Sequence, residues 1–153
     1  MAITTFARPT AHLRCSSIFR AIVAVTLAGA AAACGAPPKN LDLSLNRTTD
    51  QNLFRVKLAS GTTPIPRSKV HEWSVQIVGS DGTPVTGAIL AIDGGMPEHG
   101  HGLPTRPRAQ SSGPPGDYVI KGMKFSMRGW WVLKLDVRAP DGRTDKITFN
   151  LVL

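Results

Sequence analysis

The chain has 153 residues, 42% of them hydrophobic, with 15 glycines, 12 prolines and a formal net charge of +8. That length suits one domain with its own apolar core, and two cysteines are too few for a disulfide-stapled scaffold. Its longest apolar run falls short of the roughly 20 residues a helix needs to cross a bilayer.

The N-terminus reads as an export signal rather than as part of a fold. Arg8, Arg14 and Arg20 stand in a stretch without acidic residues, an apolar run follows from Ala21 to Ala33, and Cys34-Gly35 comes next. A basic start, a short apolar middle and small residues at the end are what a secretion signal requires. Ala31-Ala32-Ala33-Cys34-Gly35 resembles a bacterial lipobox, with Ala31 where a leucine is usual. Cys34 is therefore expected to be lipidated and to head the mature, membrane-anchored protein. The alternative is ordinary cleavage after Ala33, leaving a free thiol that is a liability in an oxidising compartment. Cys15 leaves with the signal, so no intramolecular disulfide is expected. Removal of the three arginines leaves 15 basic residues against 10 acidic ones. Export argues against nucleic acid as the partner of that charge; anionic headgroups or an acidic protein fit better. The expected organisation is a signal peptide over 1–33, a tether over 34–40 with Pro37-Pro38, and one domain over 41–153.

Within the domain the dominant pattern is alternation of apolar and polar residues, the mark of half-buried strands. Leu41, Leu43 and Leu45 alternate with polar residues and predict a first strand; Phe54, Val56 and Leu58 predict a second. His71, Trp73, Val75 and Ile77 share one face of a third, the clearest in the chain. Asp81-Gly82-Thr83-Pro84 is turn chemistry, and Gly87 to Ile92 reads as the next strand. A long irregular segment, Gly94 to Gly116, then interrupts the pattern. Tyr118 to Phe125 and Trp131 to Val137 resume it, and Ile147 to Leu153 closes the chain after the turn Ala139-Pro140-Asp141-Gly142. Seven strands without a convincing helix predict an all-β, immunoglobulin-like β-sandwich.

Within the irregular segment, Asp93 to Thr105 holds four glycines, two prolines, two histidines, a methionine and Glu98. His99-Gly100-His101 has a particular property. In extended chain, residues two apart point the same way with Cα atoms about 6.6 Å apart, so both imidazoles can close on one ion while the glycines clear the approach. Met96 adds a thioether nearby.

His71-Glu72-Trp73, the run Gly94-Gly95-Met96-Pro97-Glu98-His99-Gly100-His101-Gly102-Leu103-Pro104-Thr105, and Gly116 through Trp131 together resemble the YtkA-like and FixH-like domains. The likeness covers roughly Lys69 to Leu153. It implies an exported β-sandwich, and for some members a part in copper supply to cytochrome oxidase. The chain departs from FixH-type members in lacking a membrane-spanning helix. It differs from CopC-like copper sandwiches in that Cys34, not a histidine, heads the mature chain.

The three histidines after the signal are His71, His99 and His101. If the strands flanking the Asp81 turn form an antiparallel hairpin, the start of the first and the end of the second share an edge. That would bring His71 toward Met96, His99 and His101. As a core-edge residue His71 would instead pack beneath Trp73 or bond a loop carbonyl, and a supporting role behind a ligand lies between. Met123 reads as core. Met127 falls at the opposite edge if its strand pairs with the one before it, unless the long segment crosses between sheets.

Imidazole suits zinc, copper or nickel, and an added thioether favours Cu(I); Glu98 or Asp93 with the histidines would instead suit zinc. The expectation is a copper protein with His99 and His101 as principal ligands, Met96 third and His71 in reserve, passing copper to a cytochrome oxidase subunit or another copper protein. The rival is a metal-free module docking on a membrane complex through 94–116 with Arg106 and Arg108. His-Glu-x-x-His, Gly-x-Ser-x-Gly and a mature Cys-His pair are all absent, so an enzyme is not expected.

Overall fold

Alternating segments need a shared interior, and here two antiparallel sheets supply it. The computed structural model describes residues 37–153; the signal, Cys34 and the start of the tether lie outside the described residues. Nine strands follow in order: β1 (Asn46–Thr48), β2 (Phe54–Ser60), β3 (His71–Gly79), β4 (Ile89–Met96), β5 (His101–Gly102), β6 (Arg108–Ser111), β7 (Asp117–Met123), β8 (Trp130–Arg138) and β9 (Thr144–Val152). One sheet has the order β1-β2-β3-β7-β6 and the other β5-β4-β8-β9. The inward positions of β2, β3, β7, β8 and β9 form one core around Trp73, Trp131, Phe54, Phe125 and Phe149. The all-β sandwich stands as expected.

Four details differ from the sequence reading. Leu41 to Leu45 is not a strand: Leu43 is 51% exposed, and only Leu45 packs on the core, so the alternation there has no second surface to bury against. The first strand is the short β1 that follows. Gly94 to Gly116 is not one loop, because it carries β5 and β6, one in each sheet. β4 also runs on through Gly94 and Gly95 to Met96. Glycine is needed there because a Cβ at Gly94 would meet the Val132 carbonyl of β8, and one at Gly95 the His101 carbonyl of β5. The residues that argued against a strand are thus the ones that let three backbones lie side by side.

The fourth difference decides where the site lies. β3 and β4 do not form a hairpin; β3 pairs with β2 and β7, and β4 with β5 and β8. The link between them crosses from one sheet to the other. It is held by Tyr118, whose hydroxyl donates to the Val85 carbonyl at 2.6 Å and accepts from the Ala88 amide at 2.8 Å. The β5–β6 link crosses back, and the β7–β8 link crosses again. These three crossings bring the start of β3, the end of β4, the end of β7 and the start of β8 to one end of the sandwich.

The opposite end is closed by a buried carboxylate. Asp145, 2% exposed, accepts amide hydrogen bonds from Gln51, Leu53 and Lys146 at 2.8–3.3 Å. Burial pushes its carboxyl up, but the Thr49 hydroxyl and these amides outweigh that and hold it below the ordinary value of 3.8.

Candidate metal centre

The histidine hairpin is built by a tight turn. The His99 amide donates to the Met96 carbonyl at 3.1 Å, with Pro97 at the second turn position, where its fixed φ fits. Gly100 follows at φ 63°, a left-handed conformation that costs glycine little. The chain then returns as β5, pairing Met96 with His101 and Gly95 with Gly102. Both histidines are exposed, and their rings lie nearly parallel, 8° apart, with centroids separated by 6.1 Å.

That separation can be compared with what a shared ion needs. A ring nitrogen binds a metal at about 2.0–2.1 Å, which places the ring centre about 3.2 Å away. Two such spans sum to about 6.4 Å, close to the observed 6.1 Å; because the nitrogen lone pairs lie in the ring planes, the stacked rings share one ion only by rotating toward each other.

Met96 is only 1% exposed. Its methyl group points at Gly129: a Cβ added there would sit 2.8 Å from Met96 Cε. The thioether is therefore packed inward, beneath the hairpin, and not beside the two rings.

His71 opens β3 at this same end, opposite Met123 in register. Its ring neighbours are Phe125, at 5.6 Å between centroids, and Trp73, at 6.4 Å. Nδ1 lies 3.1 Å from the Lys69 carbonyl, which can only accept, so Nδ1 is the donor in this contact. Nε2 is buried and has no hydrogen-bond partner among the described residues. Buried polar atoms are rarely left so, because each costs about 1–3 kcal/mol. A proton donated to a carbonyl on one side and a free nitrogen on the other is the arrangement common in metal-ligating histidines. His71 thus packs by Trp73 and bonds a loop carbonyl, as the core-edge reading expects, with Nε2 left over.

Met127 lies at the histidine end, not across the sheet from it, because the β5–β6 link crosses between sheets and β7 pairs with β3, setting Met123 opposite His71. Its carbonyl accepts from Trp131 Nε1 at 3.1 Å, and the residue is 37% exposed. A sequence signal for this placement existed in the length of 94–116, which allowed the crossing. The role of Phe125 as the floor under His71 had no sequence signal.

Among the described residues, no three His, Cys, Asp or Glu side chains converge as a metal cluster. Asp93 and Glu98 therefore do not group with the histidine pair.

A two-sheet sandwich with an exposed histidine hairpin on one end defines the class of this protein: a small all-β module with its candidate chemistry on a loop. The family model described as YtkA-like matches residues 48–136, more than half of the chain, and the chain belongs to that family. The match contains His71, Met96, His99, His101 and Met127. Among solved structures, the chain is similar to a DUF4426 family protein from Pseudomonas aeruginosa PAO1. The identity is 16% and the TM-score 0.52, covering 71% of this chain and 94% of that one. At this identity the likeness speaks to the fold alone. No curated protein matches the chain.

Proposed function

We propose that this chain is an exported, lipid-anchored module of the cell envelope that binds copper and hands it to a partner, a cytochrome oxidase subunit or another copper protein. The observation that carries the reading is the pair of exposed imidazoles of His99 and His101, with centroids 6.1 Å apart on one tight turn. Two nitrogens with no convergent carboxylate or thiolate among the described residues fit zinc less well than Cu(I), which accepts few ligands and takes thioether as a further donor. Met96 is the nearest such donor along the chain, and it would have to leave its packed position beneath the hairpin to serve as the third ligand. His71 stands behind with an unengaged nitrogen.

When bound, copper supplies an exchangeable soft cation rather than a catalytic centre, and the module is not an enzyme. The chain's own part is to hold two neutral imidazoles on a tight turn, open to solvent, so that an incoming partner displaces them one at a time. Protonation competes with the metal for the same nitrogens, so affinity falls as pH drops.

Titration of the protein with Cu(I) against a chromogenic chelator, beside His99→Ala and His101→Ala, tests the site. Both variants should lose at least tenfold in affinity. Equally weak competition by wild type and variants removes the copper reading, and binding of Zn(II) alone keeps a site but removes copper delivery. Cys34→Ser should release the protein from the membrane fraction; unchanged attachment argues against the lipid anchor.

A further inference from the structure

Each sheet of an open sandwich has two edges, and their unpaired backbone groups invite another strand unless something guards them. Here most edges are guarded. On β9 the Lys146 carbonyl accepts from the Asp50 amide at 2.8 Å, and the Thr148 carbonyl from the Arg47 guanidinium at 2.6 Å. β1 and β6 are only three and four residues long. β4 is the exception: β5 pairs with it only at its end, around Met96 and Gly95, and β6 of the other sheet lies close beside it without pairing.

The direction of the uncovered groups follows from one hydrogen bond. The Gly94 carbonyl accepts from the Leu103 amide at 3.0 Å, on the β5 side. In an antiparallel strand alternate residues turn their N–H and C=O to the same side. Ile92 and Leu90 are in phase with Gly94, and their backbone groups face the same open side, with no backbone partner among the described residues. Beyond Leu103 the chain diverges from β4 toward β6 and leaves a groove of about 730 Å³ between them. One wall is Ile89 to Asp93, and the other includes Leu103, Arg106 and Arg108. Ile89 is 69% exposed, and from Ile89 to Ile92 no charge or proline breaks the edge. Arg106 and Arg108 are exposed and form no ion pair among the described residues.

We infer that this groove is a docking site for an extended, acidic segment of a partner protein, added as a strand along β4. The segment's backbone pairs with Leu90 and Ile92, and its carboxylates meet Arg106 and Arg108. Main-chain bonds supply affinity in this mode and flanking side chains supply choice. Arg106 and Arg108 against the single carboxylate of Asp93 leave the groove net positive, which favours an acidic segment. The site is separate from the histidine rings and does not depend on a metal.

The test is a titration of the ¹⁵N-labelled full-length protein, in detergent micelles, with an octapeptide of alternating Glu and Val and with its Lys and Val counterpart. The acidic peptide should slow hydrogen exchange at Leu90 and Ile92 and bind at least tenfold more tightly than the basic one. Joint Arg106→Glu and Arg108→Glu should reverse that preference. Ile92→Pro removes one outward N–H without touching the bonds to β8, and should abolish binding while signals of Ala91 and Asp93 persist. Should the proline variant misfold, the charge-reversed pair carries the test alone. Equal binding of both peptides, or of neither, overturns the proposal. So does protection of Leu90 and Ile92 that grows with protein concentration alone, which would make a second copy of the chain the occupant.

Discussion

His71→Leu separates a ligand from a packing residue by the signs of two effects. Leucine is close to histidine in volume, so contact with Phe125 and Trp73 is largely kept. The substitution removes the hydrogen bond to Lys69, a net loss of about 0.5–1.5 kcal/mol, and the exposed Lys69 can turn its carbonyl to water. It also removes the buried Nε2 that has no partner, recovering about 1–3 kcal/mol. The metal-free variant should therefore match or exceed wild type in stability, by up to about 2 kcal/mol. At about 4–8 °C per kcal/mol this is a rise in Tm of up to about 15 °C. Cu(I) affinity, measured against a chromogenic chelator, should fall about 10- to 100-fold, the usual cost of losing a ligand's partner or a weak ligand. The two effects then run opposite ways. A Tm lowered by more than about 5 °C, equivalent to about 1 kcal/mol, with copper affinity unchanged, would refute this reasoning and leave His71 a core residue.

Gly95→Ala should weaken copper binding about tenfold without removing a donor. Its Cβ would meet the His101 carbonyl and push β5 away from β4, at a stability cost of about 1–3 kcal/mol; wild-type affinity in the same Cu(I) competition would show that the hairpin does not set the histidine pair. Asp145→Asn should lower stability by about 2–4 kcal/mol in urea unfolding, because an amide cannot accept from three backbone donors as the carboxylate does. The folded carboxyl of Asp145 titrates below 3.8, so its stabilisation is complete above that pH and is lost as pH falls through the lower, folded value. The wild type should thus lose stability below about pH 4 more steeply than the variant, and parallel pH profiles would refute the assignment.

Much of this molecule can be read from residue order. Trp73, Val75 and Ile77, or Leu133, Leu135 and Val137, alternate because each strand has one wet face and one dry one, and that periodicity is local. His99-Gly100-His101 is local too: a turn started by Pro97 and relaxed by Gly100 sets two rings side by side whatever the rest of the chain does. The reading failed where the cause was a neighbour distant in sequence. Gly94 and Gly95 looked like strand breakers, and are strand residues because β8 and β5 press against them. Leu41 and Leu43 looked like strand residues, and found no surface to cover.

Order along the chain therefore determined that the protein is all-β, which residues face its core, and that two histidines stand together on a turn. Only the tertiary structure decided which sheet each strand joins. Alternation reports which face of a strand is buried, but says nothing about which strand lies beside it, since either sheet offers the same apolar interior. That choice, made at the β3–β4, β5–β6 and β7–β8 crossings, brought His71 and Met127 to the histidine end and left the edge of β4 unpaired.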